Sequence, residues 1–208
     1  METILQYFPN LTPQQIDHFQ QLEDLYRDWN QKINVISRKD IDNLYLRHVL
    51  HSLAIPAVVR FRSDADILDL GTGGGFPGIP LAILYPDVNF TLIDGTRKKI
   101  HVVEEVAKTL ELKNVTAKQI RAEELKGKFD FIVTRAVARL DKLVLWSQRL
   151  LKNKERHAIP NGILALKGGA IQAEIKELPK GNYIEVYDII DIFKELTFED
   201  KYVVYVQR

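Results

Sequence analysis

Five residues, Gly71-Thr72-Gly73-Gly74-Gly75, constrain this chain more than any other stretch. They follow directly on a short apolar run, Ile67-Leu68-Asp69-Leu70. A strand that stops in a glycine-rich loop lets backbone approach a ligand closely and leaves helix N–H groups free to face it. The next apolar run, residues 88–93, ends at Asp94, 23 residues beyond Gly71. That matches the spacing of about 20 residues between a glycine turn and an acid that accepts hydrogen bonds from ribose hydroxyls. Loop and acid together point to an adenosine-containing cofactor.

The rest of the chain supplies a frame for that loop. Leu11-Thr12-Pro13-Gln14-Gln15 opens a helix, with Thr12 as N-cap, Pro13 in the first turn and Gln15 at the capping-box position. Ile16, Phe19, Leu22, Leu25, Tyr26 and Trp29 follow at helical spacing. A second helix is expected over residues 44–53, stopping before Pro56. Residues 1–60 thus read as a helical cap, and residues 61–208 as the main domain. From Asp66 onward strands alternate with helices: strands over 67–70, 88–93, 115–120, 129–133 and 163–166, helices over 97–110, 140–151 and 170–178. Two strand-like runs, 183–190 and 202–207, close the chain with no helix expected between them. The pattern predicts a doubly wound α/β fold, a mostly parallel sheet covered on both faces with an antiparallel C-terminal edge.

Cysteine is absent from the 208 residues, which excludes disulfides, cysteine-ligated zinc, iron–sulfur clusters and a cysteine nucleophile. His48 and His51 could share a helix face, but no HExxH-like ligand set surrounds them, and no metal is expected. The N-terminus has neither the basic start nor the apolar stretch of a signal peptide, and no run is long enough to span a membrane. A cytoplasmic protein is expected. Net charge is +1, unevenly spread: residues 97–167 hold 17 basic and 8 acidic side chains. Such asymmetry marks either a surface for a polyanion or solvated lysines on helix faces. The cluster Lys152, Lys154, Arg156 and His157, with Lys126 and Lys128, is the expected phosphate footprint.

Two frames compete for the loop. Gly73-Gly74-Gly75-Phe76-Pro77-Gly78 satisfies the dinucleotide pattern G-x-G-x-x-G, but the strand ends at Leu70, so the turn begins at Gly71. Pro77 and Pro80 also stand where a dinucleotide-binding helix would close on a pyrophosphate. The frame Asp69-Leu70-Gly71-Thr72-Gly73-Gly74-Gly75 instead resembles motif I of class I S-adenosylmethionine-dependent methyltransferases, whose sheet likewise carries a reversed strand near its end. Without cysteine, methylation of pyrimidine carbon 5 through a covalent adduct is closed. The fourth strand ends in Thr134-Arg135-Ala136-Val137, not in the Asn/Asp-Pro-Pro-Tyr of exocyclic-amine methyltransferases. A ring nitrogen with a free lone pair, such as guanine N7, suits the site better, because it needs alignment and desolvation but no general base.

In order along the chain, a longer set of phrases is similar to one family, the ribosomal RNA small subunit methyltransferase G family, also called glucose-inhibited division protein B. The phrases are Trp29-Asn30, Asn34-Val35-Ile36, Arg47-His48-Val49-Leu50-His51-Ser52-Leu53, the loop through Leu81, Asp94-Gly95-Thr96-Arg97-Lys98-Lys99, Arg121-Ala122-Glu123-Glu124, Thr134 to Ala138, and Leu166-Lys167-Gly168-Gly169. The resemblance implies N7-methylation of one guanine in 16S ribosomal RNA, within the small ribosomal subunit or its precursor, with S-adenosylmethionine as donor. It implies cofactor contacts from Gly71, Phe76, Ala122, Glu123 and Arg135, to which the loop and spacing add Gly73 and Asp94. Asn34, Arg47 and His48 are expected on the substrate side, and Lys167 against RNA phosphate. Trp29 reads as core. Two residues depart from the family pattern: His51 stands where an aspartate is usual, and Gly95 where serine is common. A small-molecule methyltransferase, a non-catalytic scaffold on the same fold and a dehydrogenase are the alternatives.

Overall fold

A computed structural model describes residues 1–37 and 39–207. The chain opens with α1 (Glu2–Tyr7) and α2 (Pro13–Lys32). The capping box forms as its sequence predicts. Thr12 Oγ1 accepts from the Gln15 N–H, and Gln15 Oε1 accepts from the Thr12 N–H. Phe19, Leu22 and Tyr26 make the buried stripe of α2, and Trp29 packs beside the core, its ring edge-on to His101.

The second helix differs from expectation. A 3₁₀ turn (Ile41–Asn43) leads into seven residues of π-helix, Leu44–Leu50. The chain then turns into a one-turn helix, α3 (Ile55–Val58). Pro56 therefore sits inside a helix, in the first turn, where its missing N–H costs nothing. π-Turns are rare and concentrate at functional sites, and this one carries Arg47 and His48.

The sheet is built from β1 (Asp66–Leu70), then α4 (Gly78–Leu84), β2 (Asn89–Asp94), α5 (Arg97–Thr109), β3 (Val115–Gln119), β4 (Phe131–Arg135), α6 (Leu140–Ser147), β5 (Gly162–Gly168), α7 (Ile171–Lys176), β6 (Ile184–Asp188), α8 (Ile189–Ile192) and β7 (Lys201–Gln207). Its order is β3-β2-β1-β4-β5-β7-β6. The first five strands in that order are parallel, and β7 runs antiparallel between β5 and β6. The seven-stranded α/β sheet is the one expected. One detail is corrected: a helical turn, α8, does interrupt the final two strands, because Ile189 and Phe193 fold back into the core.

Alternate residues along each strand face opposite layers, as strand periodicity requires. Ile67, Phe90, Phe131, Leu164 and Val203 share one core with α2, the π-turn, α4 and α5. Leu68, Ile93, Ile132, Ile163 and Val204 face α6 and α7. The first core is continuous with Ile4, Phe19, Leu22 and Leu50, so the N-terminal helices are packed on the sheet itself. Gln15 Nε2 adds bonds to the carbonyls of Ile83 and Leu84 at the end of α4. The strand order reverses between β1 and β4, and open α/β sheets bind ligands at the carboxyl ends of strands at such a point.

Candidate active site

At the carboxyl end of β1 the chain enters the glycine loop with Gly71 at φ +72° and Gly73 at φ +58°, conformations that L side chains rarely adopt. The two glycines serve different ends. A Cβ on Gly71 would collide with the side chain of Val137 from the β4 loop, whereas one on Gly73 meets nothing within 4 Å. Gly71 lies close under Val137 as well as at a left-handed φ, and Gly73 faces open space. The Thr72 carbonyl accepts from the N–H groups of Gly75 and Phe76. The Gly73 N–H donates to Asp94 Oδ2 at 3.1 Å, while Asp94 Oδ1 accepts from the Thr96 N–H at 2.8 Å. Loop and acid, read separately from the sequence, are thus joined directly.

Asp69 anchors the loop from below. It is fully buried, and its Oδ2 accepts from Thr72 Oγ1 at 2.6 Å and from the Gly78 N–H at 2.8 Å. Burial pushes its carboxyl up to about 7, against the pull of those two hydrogen bonds. A Cβ at position 78 would come within 2.6 Å of Asp69 Oδ2 and of Leu92. Glycine there lets α4 start against the carboxylate.

Phe76 stands at the centre of the site. Its ring packs on Tyr26 at 4.9 Å and on His48 at 5.3 Å, and the Arg135 guanidinium lies 5.1 Å from its centroid. Arg135 closes β4. It donates through Nη2 to His48 Nδ1 at 2.9 Å and through Nη1 to the Arg47 carbonyl at 3.3 Å. A guanidinium has no acceptor, so Nδ1 of His48 accepts and the ring proton lies on Nε2. That Nε2 is buried without a partner. Burial, then the Arg135 charge, lower His48 to about 4, so it is neutral at physiological pH. Burial also lowers Arg135 to about 10, which leaves it a cation there. Ala136 follows at φ +55° and turns the chain so that Val137 covers Gly71.

The other expected residues divide. Ala122 is buried in the turn after β3, where Arg149 donates to the carbonyls of Ala122 and Leu125, and Glu123 is exposed. Asn34 is exposed, next to Val35, which packs on Gly74. Arg47 turns its side chain to Asp40, at 2.6 Å. Lys167 is engaged elsewhere: it pairs with Glu174 at 2.8 Å and donates to the Ala138 carbonyl, while Glu174 also accepts from the Leu140 N–H. Lys167 therefore braces β5 against the start of α6 in place of reaching outward.

Part of the expected phosphate footprint is engaged within the protein. Lys152 pairs with Asp66 and Asp130, at the start of β1 and just before β4. Arg156 donates to the Asp64 carbonyl and Lys128 to that of Arg149. These cations sit at the amino edge of the sheet, opposite the loop. Charge density along the sequence carries no record of which edge a connection occupies.

Sequence reasoning also missed residues that hold the site together. The Tyr26 hydroxyl donates to the Gly74 carbonyl at 2.6 Å, and Asn30 Oδ1 accepts from the N–H groups of Val35 and Ile36. Tyr26 was legible only as an apolar-stripe residue, since the polar end of a tyrosine leaves no periodicity. Arg149, inside a helical run, gave no signal.

Residues 15–194 match the family model described as rRNA small subunit methyltransferase G. A protein of Flavobacterium johnsoniae named Ribosomal RNA small subunit methyltransferase G is 54% identical over 205 residues, covering 99% of this chain and 97% of the relative. The chain belongs to this family. A Bacteroides thetaiotaomicron protein of the same name is 51% identical over 207 residues, covering 100% of each chain. Among solved structures, the ribosomal protein L11 methylase of Lactobacillus delbrueckii subsp. bulgaricus has a TM-score of 0.57 at 17% identity, covering 76% of each chain. A precorrin-6y C5,15-methyltransferase from Geobacter metallireducens has 0.55 at 14%, covering 85% of this chain and 93% of that one. The fold of this methyltransferase G family member is thus the class I methyltransferase fold. Among the described residues no three His, Asp or Glu side chains come together as a metal site, and no helix is long and apolar enough to cross a membrane.

Proposed function

We propose that the chain transfers a methyl group from S-adenosylmethionine to N7 of one guanine in 16S ribosomal RNA, presented in the small subunit or its precursor in the cytoplasm. Membership of the rRNA small subunit methyltransferase G family carries the substrate class. The single structural observation that carries the donor is the joined loop and acid: Gly73 faces open space while its N–H holds Asp94 in place. The residues fit the group. Each Asp94 oxygen keeps a lone pair beyond its backbone bond and can accept from ribose hydroxyls. Ala122 and Glu123 flank the end of β3, where an adenine would lie, and Gly71, Gly73 and Phe76 form the wall for the methionine portion. S-Adenosylmethionine supplies a methyl carbon on a cationic sulfur.

This chain's own residues have a limited task. Guanine N7 carries no proton, so no side chain must remove one, and neutral His48 is a positioner with no proton to accept. Its Nδ1 and the Arg47 carbonyl fix the Arg135 fork over Phe76. The half-buried guanidinium is then a preorganised donor at the strand-four end, while Asn34, Arg47 and His48 line the approach for the base.

The test is Arg135→Ala, assayed for methyl transfer to small subunits from a strain lacking the protein. Turnover is expected to fall about 10²-fold, the usual cost of one preorganised donor, with the protein still folded at a somewhat lower melting temperature, because His48 Nδ1 and the Arg47 carbonyl lose their donor. Unchanged kinetics would return Arg135 to a purely structural role.

A further inference from the structure

One phrase of the sequence, Leu166-Lys167-Gly168-Gly169, is left without a part in the site as described, because Lys167 is spent on Glu174. Its glycine points elsewhere. A Cβ on Gly168 would come within 2.8 Å of Lys201 Nζ, so glycine at the end of β5 makes room for the Lys201 ammonium. Lys201 opens β7 and is registered opposite Gly168, while Arg135 is registered opposite Leu166 on the same strand. The reversed direction of β7 thus brings its first residue to the carboxyl edge, where the glycine loop and Arg135 lie. The Gly169 N–H donates to the Asp200 carbonyl at 3.0 Å and pins the approach to β7.

Lys201 faces a cleft of about 350 Å³ lined by Asp40, Arg47, His51, Thr197 and Phe198. Two cations line it. Arg47 is half-exposed and balanced by Asp40, but among the described residues no carboxylate lies within ion-pair distance of Lys201. His51 packs tilted against Phe198, and burial pushes it down to about 3, so it adds no charge at neutral pH. Its Nε2 is buried without a partner. Thr197 supplies a hydroxyl. Arg47 belongs to both places: it lines the cleft, and its carbonyl receives Arg135 at 3.3 Å.

We propose that this cleft holds a backbone phosphate of the RNA strand whose guanine is methylated, with Lys201 as its principal cation and Arg47 and Thr197 beside it. The inference rests on the RNA-methyltransferase reading and extends it to a second contact on the same edge of the sheet. An ammonium with no ion-pair partner among the described residues, at the rim of a half-enclosed polar cleft, suits a phosphodiester, which fixes the register of a strand without reading its sequence. It also replaces the amino-edge cluster as the source of electrostatic affinity.

The experiment compares Lys201→Gln, Lys201→Arg and Lys154→Gln with the wild type, using small subunits from a strain lacking the protein. Lys201→Gln is expected to raise KM for subunits on the order of fivefold, with kcat and S-adenosylmethionine affinity unchanged. It should also lower the slope of log affinity against log salt by about one. Lys201→Arg should restore both, and Lys154→Gln, at the opposite edge, should change neither. Wild-type KM and salt slope in Lys201→Gln would overturn the phosphate site alone. So would a joint loss of kcat, cofactor affinity and stability that arginine fails to rescue, because that marks a structural lysine. Absence of transfer to subunits by the wild type would overturn the functional reading, and this site with it.

Discussion

Asp69 is a carboxylate in a place that disfavours its charge. Only one of its oxygens is hydrogen-bonded, and burial lifts the group to about 7. The folded chain therefore holds the Asp69 proton more tightly than the unfolded chain does. Stability from this group is complete below about pH 4 and is lost as the pH rises through 7. Asp69→Asn removes the titration, so its unfolding free energy relative to wild type is expected to rise between pH 5 and pH 8, measured in urea at both. A constant difference would show that Asp69 is ionised throughout. His48 has the opposite sign: its depressed value costs stability as pH falls from 6.5 toward 4, and kcat should show no acidic limb from it near 6.5. The two loop glycines differ in what a methyl would meet. Gly73→Ala puts a methyl into open space at a left-handed φ, for about 1 kcal/mol of strain. It should fold and lose S-adenosylmethionine affinity by about tenfold, while Gly73→Asp, beside Asp94, should abolish binding. Gly71→Ala, which strikes Val137, should lower the melting temperature as well as cofactor affinity. Wild-type affinity in Gly73→Asp, by calorimetry, would remove the loop from the cofactor site.

At the scale of elements, α2 acts on the loop as well as covering the sheet. Tyr26→Phe keeps the ring against Phe76 but leaves the Gly74 carbonyl without its donor. An unpaired buried acceptor costs about 1–3 kcal/mol, so both stability and cofactor affinity are expected to fall. Loss of stability with intact affinity, by thermal unfolding with and without S-adenosylmethionine, would confine α2 to a packing role. The strands, α5 and the α2 cap were legible because alternation, capping residues and glycine turns are local. The π-turn was not, since Leu44–Leu50 carries the same apolar spacing whether wound at four or five residues per bond. Nor was α4, where Gly78 and Pro80 read as loop, although Pro80 falls within the first turn and needs no N–H bond. Asp94 and Gly73, singled out by the glycine run and the spacing, meet in one hydrogen bond. The His48–Arg135 pair, 87 residues apart, needed the π-turn and β4 to be placed together.

Across the whole molecule the two edges of the sheet carry different sets of charged groups. Cations at the amino edge are tied to Asp66, Asp130 and backbone carbonyls. The carboxyl edge collects the glycine loop, Asp94, Arg135 and Lys201, from segments spread over most of the chain. That convergence, with membership of the rRNA small subunit methyltransferase G family, makes the central claim a chemical one: donor, RNA and atom together. The most direct measurement is transfer of labelled methyl from S-adenosylmethionine to small subunits purified from a strain lacking the protein, followed by digestion and separation of the nucleosides. A single labelled peak of 7-methylguanosine is expected. Label in any other nucleoside, or none despite intact cofactor binding, would contradict it.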